Sequence, residues 1–128
     1  MFKVCGNTNY ECTCAEEQVF GSNLDIEEAF RLFLKLAKDK DSLDFTEMDA
    51  IVDNWAVENA WDEDDYYWGS YGGTIAVYEE ANEPNGFDRE IIMIRVERDP
   101  LNKTNENCEV EFGPEIHLDE KERFLKLK

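Results

Sequence analysis

The run Arg89-Glu90-Ile91-Ile92-Met93-Ile94-Arg95-Val96-Glu97-Arg98 sets Ile92, Ile94 and Val96 at every second position, with Ile91 and Met93 in the opposite register. A period of two is the mark of a β-strand. Apolar side chains on both faces mark a strand in the interior of its sheet. Asp99-Pro100 ends the run, since proline has no N–H to give to a ladder. Downstream, Cys108, Val110 and Phe112 alternate with Glu109 and Glu111, as a half-buried strand does. Upstream, Thr74–Glu80 is rich in β-formers at its start, and Glu83-Pro84-Asn85-Gly86 has the composition of a turn. Connections this short make the three strands antiparallel.

The first half of the chain has a different period. Asp25 and Glu28 form a D-x-x-E helix start. Ile26, Phe30, Phe33 and Ala37 follow on one face, with Leu34 beside them, and Lys35 and Lys38 lie in the last turns, where cations suit the helix dipole. A second start places Asp44 as N-cap and Glu47 at the third helical position, with Leu43 and Met48 as a hydrophobic staple. Met48, Ile51, Val52 and Trp55 give this helix its apolar stripe. Before Gly21-Ser22, residues 2–20 are expected to form a hairpin, with Tyr10, Cys12 and Cys14 alternating along it and Gly6-Asn7-Thr8-Asn9 as a turn. The tail from Asp119 to Lys128 fits either a short helix or a final strand at Phe124–Lys128. The expected fold is α+β: one domain over 1–128, an antiparallel sheet of about four to five strands, and two helices packed on one face. Its 128 residues suffice for a real core.

Charge is the outlying property. The net formal charge is -18. No base occurs between Lys40 and Arg89, a stretch that holds fourteen acids: Asp41, Asp44, Glu47, Asp49, Asp53, Glu58, Asp62, Glu63, Asp64, Asp65, Glu79, Glu80, Glu83 and Asp88. The other 80 residues hold 17 acids and 13 bases, so 14 of the 18 excess charges fall in this block. Crowding of like charge opposes a compact state, and selection for solubility alone usually mixes the signs. Asp49 and Asp53 lie one helical turn apart, a spacing at which like charges repel. Nothing local favours them.

Chemical motifs are absent or explained by simpler means. Ser42-Leu43-Asp44-Phe45-Thr46-Glu47 has the look of the end of a calcium loop. With Glu47 as its last ligand, however, Leu36 and Lys38 fall at the first and third positions, and Asp41 stands where glycine is required. Asp62-Glu63-Asp64-Asp65 forms a solvated acidic loop more readily than a metal site, because adjacent carboxylates rarely converge on one ion. Cys12-x-Cys14, with Cys5, Cys108 or His117, is a weak soft-metal signal, whereas buried small hydrophobes on a strand face account for the cysteines. His117 has no identifiable nucleophile to activate. No phosphate-binding glycine loop and no basic patch is present, which disfavours direct nucleic-acid binding. No catalytic residue, metal or cofactor is expected.

What remains is the acidic block with aromatic residues inside it. Tyr66-Tyr67-Trp68 cannot all face one core, and such rings are favoured anchors at protein interfaces. The expected function is that of a non-enzymatic inhibitor that mimics nucleic acid. Its partner is the basic groove of a nucleic-acid-binding protein or enzyme, as with phage-encoded anti-CRISPR and anti-restriction proteins. Partner-binding residues are expected at Asp49, Asp53, Glu58, Asp62, Glu63, Asp64, Asp65, Tyr66, Tyr67 and Trp68. The alternative is an acidic adaptor or regulatory module whose partner has nothing to do with nucleic acid. No apolar run reaches the roughly 20 residues of a membrane span, and Met1-Phe2-Lys3-Val4-Cys5 does not open a secretory signal. The expected location is the cytoplasm, that of the host if phage-encoded. A free edge strand leaves homodimer formation open.

Overall fold

The computed structural model describes residues 1–8, 18–58, 71–84, 86–99 and 102–128, with backbone alone at 51, 55–58 and 71. Five strands form one sheet: β1 (Phe2–Asn7), β2 (Gln18–Leu24), β3 (Tyr71–Glu79), β4 (Arg89–Asp99) and β5 (Thr104–Phe112). Their order is β2-β1-β3-β4-β5, and every neighbouring pair is antiparallel. Helices α1 (Ile26–Lys38) and α2 (Thr46–Glu58) connect β2 to β3, and α3 (Leu118–Leu127) follows β5. The α+β expectation holds, and the tail is a helix. β1 and β2 pair antiparallel, but Gly6 and Asn7, expected in a turn, belong to β1, and its partner strand begins only at Gln18. Cys12 and Cys14 lie outside the described residues. Gly21-Ser22 does not interrupt β2, which runs on to Leu24.

The core lies between one sheet face and the helices. Val4, Ile75, Val77, Ile92, Ile94 and Val96 from the strands meet Ile26, Ala29, Phe30 and Phe33 of α1. α1 starts where the sequence places it: the Asp25 carboxylate accepts the Glu28 backbone N–H at 2.8 Å, which draws the Asp25 carboxyl below its usual range. Phe124 of α3 is fully buried and meets the rings of Phe30, Phe33 and Phe112 edge to face, at centroid distances of 5.4, 6.1 and 5.9 Å. This arrangement suits the quadrupoles of the rings. Gly73 is needed where it stands, because a Cβ there would run into the Asn7 carbonyl oxygen and the Leu43 side chain.

β4 departs from strict alternation, and the departure organises the molecule. Val77 pairs with Ile92 but Tyr78 pairs with Glu90, so Ile91 is the extra residue of a bulge. Ile91 was expected on the face opposite Ile92; it is instead fully buried in the same core. The parity change also brings Arg89 onto the helix face, where Arg98 already stands by its spacing from Ile92, Ile94 and Val96. β4 therefore carries an apolar centre with one arginine at each end, and each arginine holds a helix.

At the first end, Arg89 donates to both carboxylate oxygens of Glu120 on α3, at 2.7 and 2.8 Å, and to the Glu115 carbonyl at 3.1 Å. Glu120 also accepts the His117 backbone N–H at 2.8 Å, closing the first turn of α3. The Arg89 guanidinium holds the Glu120 carboxyl below the usual carboxylate range, and Glu120 in turn raises that of Arg89.

Candidate functional site

The second arginine defines the site at which the sequence placed part of its acidic surface. α2 begins two residues after Asp44, one later than expected. Asp44 accepts the Thr46 hydroxyl at 2.6 Å and the Thr46 N–H at 3.0 Å, and these bonds lower its pKa. Leu43 and Phe45, both buried, pin the start of α2 to the core, and Met48 packs against it. One turn into α2, Asp49 receives two bonds from Arg98: Nε at 3.2 Å and Nη2 at 2.6 Å. The side chains are 12% and 18% exposed, so this is a largely desolvated, two-pronged pair. The Arg98 guanidinium lies over the Phe45 ring, 5.3 Å from its centroid, and donates to Asn105 at 2.9 Å. Asp49 also stands in the first turn of α2, where a negative charge suits the helix dipole.

Asp53, the next acid along, pairs with Lys103 Nζ at 2.8 Å. Lys103 sits in the turn between β4 and β5 with φ 56, a left-handed conformation that costs a side-chain-bearing residue about 1–2 kcal/mol. The turn holds it by a bond from the Lys103 N–H to the Asp99 carbonyl at 2.9 Å. This pair is open to water, with side chains 35% and 49% exposed, and contributes at most about 1 kcal/mol.

The acidic block is thus matched in space by cations that the chain places elsewhere. Arg98 and Lys103 come from the end of β4 and the turn after it. At the opposite end of the sheet, Asp88 pairs with Lys3 at 2.9 Å and Glu79 with Arg89 at 3.4 Å. Lys3, with help from the Ala81 N–H, lowers the Asp88 carboxyl below its usual range. Four of the block's fourteen acids are matched this way among the described residues. Their partners are 10 to 85 positions away in sequence, so charge runs alone gave no sign of them.

No protein family, no curated protein and no solved structure matches this chain. The site must therefore be understood from its own residues. Of those expected to bind a partner, Asp49 and Asp53 stand together on α2 with their cations. Glu58 ends that helix, and its side chain lies outside the described residues. Asp62, Glu63, Asp64, Asp65, Tyr66, Tyr67 and Trp68 also lie outside them. Asp41, Asp44 and Glu47, exposed around the start of α2, add negative charge at the same end. Among the described residues no three His, Cys, Asp or Glu side chains are grouped to hold a metal ion. Cys5 and Cys108 sit on strands separated by β3 and β4, about 14 Å apart at ordinary strand spacing. His117 lies before α3, beside Glu120. Burial pushes the Cys108 thiol up, the reverse of what a reactive thiolate needs. No described helix is long and apolar enough to cross a membrane.

Proposed function

We propose that this protein is an acidic inhibitor that imitates nucleic acid: it occupies the basic groove of a nucleic-acid-binding enzyme and blocks it. It acts by binding rather than by catalysis, without a cofactor, in the manner of a phage-encoded anti-CRISPR or anti-restriction protein in the host cytoplasm. The observation that carries this reading is the run of fourteen acids without one base between Lys40 and Arg89. A surface built from such a run attracts a basic groove over long range and speeds encounter. α2 supports the reading by giving part of the run a rigid frame. Asp49 and Asp53, the α2 acids one turn apart, are held by Arg98 and Lys103, so the outward charge at this end comes from Asp41, Asp44 and Glu47, exposed around the start of the helix. Glu58, Asp62, Glu63, Asp64 and Asp65 add to this charge, and Tyr66, Tyr67 and Trp68 serve as anchors. Self-pairing through the β5 edge is opposed by Glu106, Glu109 and Glu111, all exposed on that strand.

The four ion pairs favour a second reading, an acidic adaptor whose partner has no link to nucleic acid. A block whose charges are matched within the fold presents a weaker field than its sequence suggests. A pull-down from host lysate at low and high salt separates the two, run beside a variant with Asp62, Glu63, Asp64 and Asp65 changed to amides. The mimic is expected to recover a nucleic-acid-binding protein that is lost at high salt and lost in the variant. A partner that survives both changes supports the adaptor.

A further inference from the structure

Asp49 and Asp53 are held by their cations in unlike ways. Asp49 is locked. All three nitrogens of the Arg98 guanidinium have an acceptor: Nε and Nη2 on the two Asp49 oxygens, at 3.2 and 2.6 Å, and Nη1 on Asn105 Oδ1 at 2.9 Å. The same guanidinium lies over the ring of Phe45, itself buried. A cation that displaced Arg98 from Asp49 would strand it among groups largely shut off from water, and breaking such a pair from one side is costly. Asp53 is held by one bond, from Lys103 Nζ at 2.8 Å, and both side chains are open to water. Water replaces a bond of that kind at little cost. Lys103 stays close even so, because its backbone is fixed. Its N–H donates to the Asp99 carbonyl at 2.9 Å, and the side chain of Asn102 beside it donates to the Asp99 carboxylate at 2.8 Å. The flexible four-carbon stem lets the ammonium swing away while the turn keeps its form.

We infer that Lys103 is an internal stand-in for the partner's cation. In the free protein it occupies Asp53; on docking, a lysine or arginine of the basic groove takes its place, while Arg98 keeps Asp49. The inference rests on the reading of the acidic block as a surface for such a groove, and adds how that surface is regulated. Of the two acids that spacing puts side by side on α2, Asp53 is then the contact, and Asp49 anchors the helix that carries it. Lys103 lowers the attraction of α2 for basic surfaces in general and yields to a cation brought to Asp53 itself.

A short lysine oligomer, added at low salt and followed through the side-chain carboxyl carbon NMR signals, tests the exchange. The Asp53 signal is expected to shift and that of Asp49 to stay. Lys103→Gln should bind the oligomer about two- to fivefold more tightly than the parent, the range that loss of an exposed competitor allows. Lys103→Arg, which keeps the charge, should bind as the parent does. Lys126→Gln, an equal change of net charge on α3, should raise affinity less. Adding Asp53→Asn to Lys103→Gln should remove the difference between these two variants. All the side chains changed reach solvent, and the amide spectrum reports that each variant is folded. A gain from Lys103→Gln no larger than that from Lys126→Gln would overturn the inference. So would a shift at Asp49 without one at Asp53, or no binding of the oligomer at all. These outcomes are separate from those of the pull-down: the identity of the recovered partner decides the mimicry, and the oligomer decides the exchange.

Discussion

Phe124→Ala will lower the unfolding free energy by about 3–5 kcal/mol, read as a lower urea midpoint at an unchanged slope. Phe124 has no exposed surface, and its ring meets those of Phe30, Phe33 and Phe112 together. Truncation opens a cavity walled by three rings that α1 and β5 hold in place, so the site has little means of collapse. A domain of this size has about 5–15 kcal/mol in all, so the loss is a large share of the whole. Phe124→Leu, which keeps most of the apolar volume, should cost less. A loss under 1 kcal/mol for the alanine variant would mean that α3 does not pack on α1 and β5 as described.

The second large effect belongs to Arg89 and Glu120. Glu120→Ala leaves the Arg89 guanidinium within the fold without its two-pronged acceptor and frees the start of α3. Breaking a buried pair from one side costs about 3–5 kcal/mol; the low end applies, since Arg89 keeps 15% of its side-chain surface in water. Replacing both partners, Arg89→Met with Glu120→Leu, should cost less than either single loss, because no charge is then stranded. The pair also predicts a pH dependence. Glu120 holds its proton less readily when folded than when unfolded, because of Arg89. Its stabilisation is therefore complete above the unfolded carboxyl value of about 4.3. It disappears as pH falls through the lower folded value. Glu120→Gln should start less stable at neutral pH and lose less on acidification than the parent. Parallel acid titrations of the two would contradict this account.

Much of the fold was legible because local chemistry and global pattern agree. Asp25 caps α1, Ile92, Ile94 and Val96 line the core, and Cys108, Val110 and Phe112 lie on a strand, all as period and capping predict. The failures have identifiable causes. Ile91 changed face because one bulged residue shifts parity, and alternation alone cannot register a bulge. The tail remained open between helix and strand because its evidence is tertiary: Phe124 needs the α1 rings, and Glu120 needs Arg89. The site was legible only as charge. That Asp49 and Asp53 repel along α2 follows from their spacing; that Arg98 and Lys103 compensate them does not, because those cations arrive through the sheet from some fifty positions away.

Mimicry, the central claim, makes this protein and nucleic acid exclusive occupants of one groove. The direct measurement takes the partner recovered at low salt, loads it with this protein, and adds duplex DNA or RNA at constant ionic strength. The account predicts mutual displacement, with the bound fraction of this protein falling as that of nucleic acid rises. A stable ternary complex, with the partner holding nucleic acid and this protein together, would contradict it.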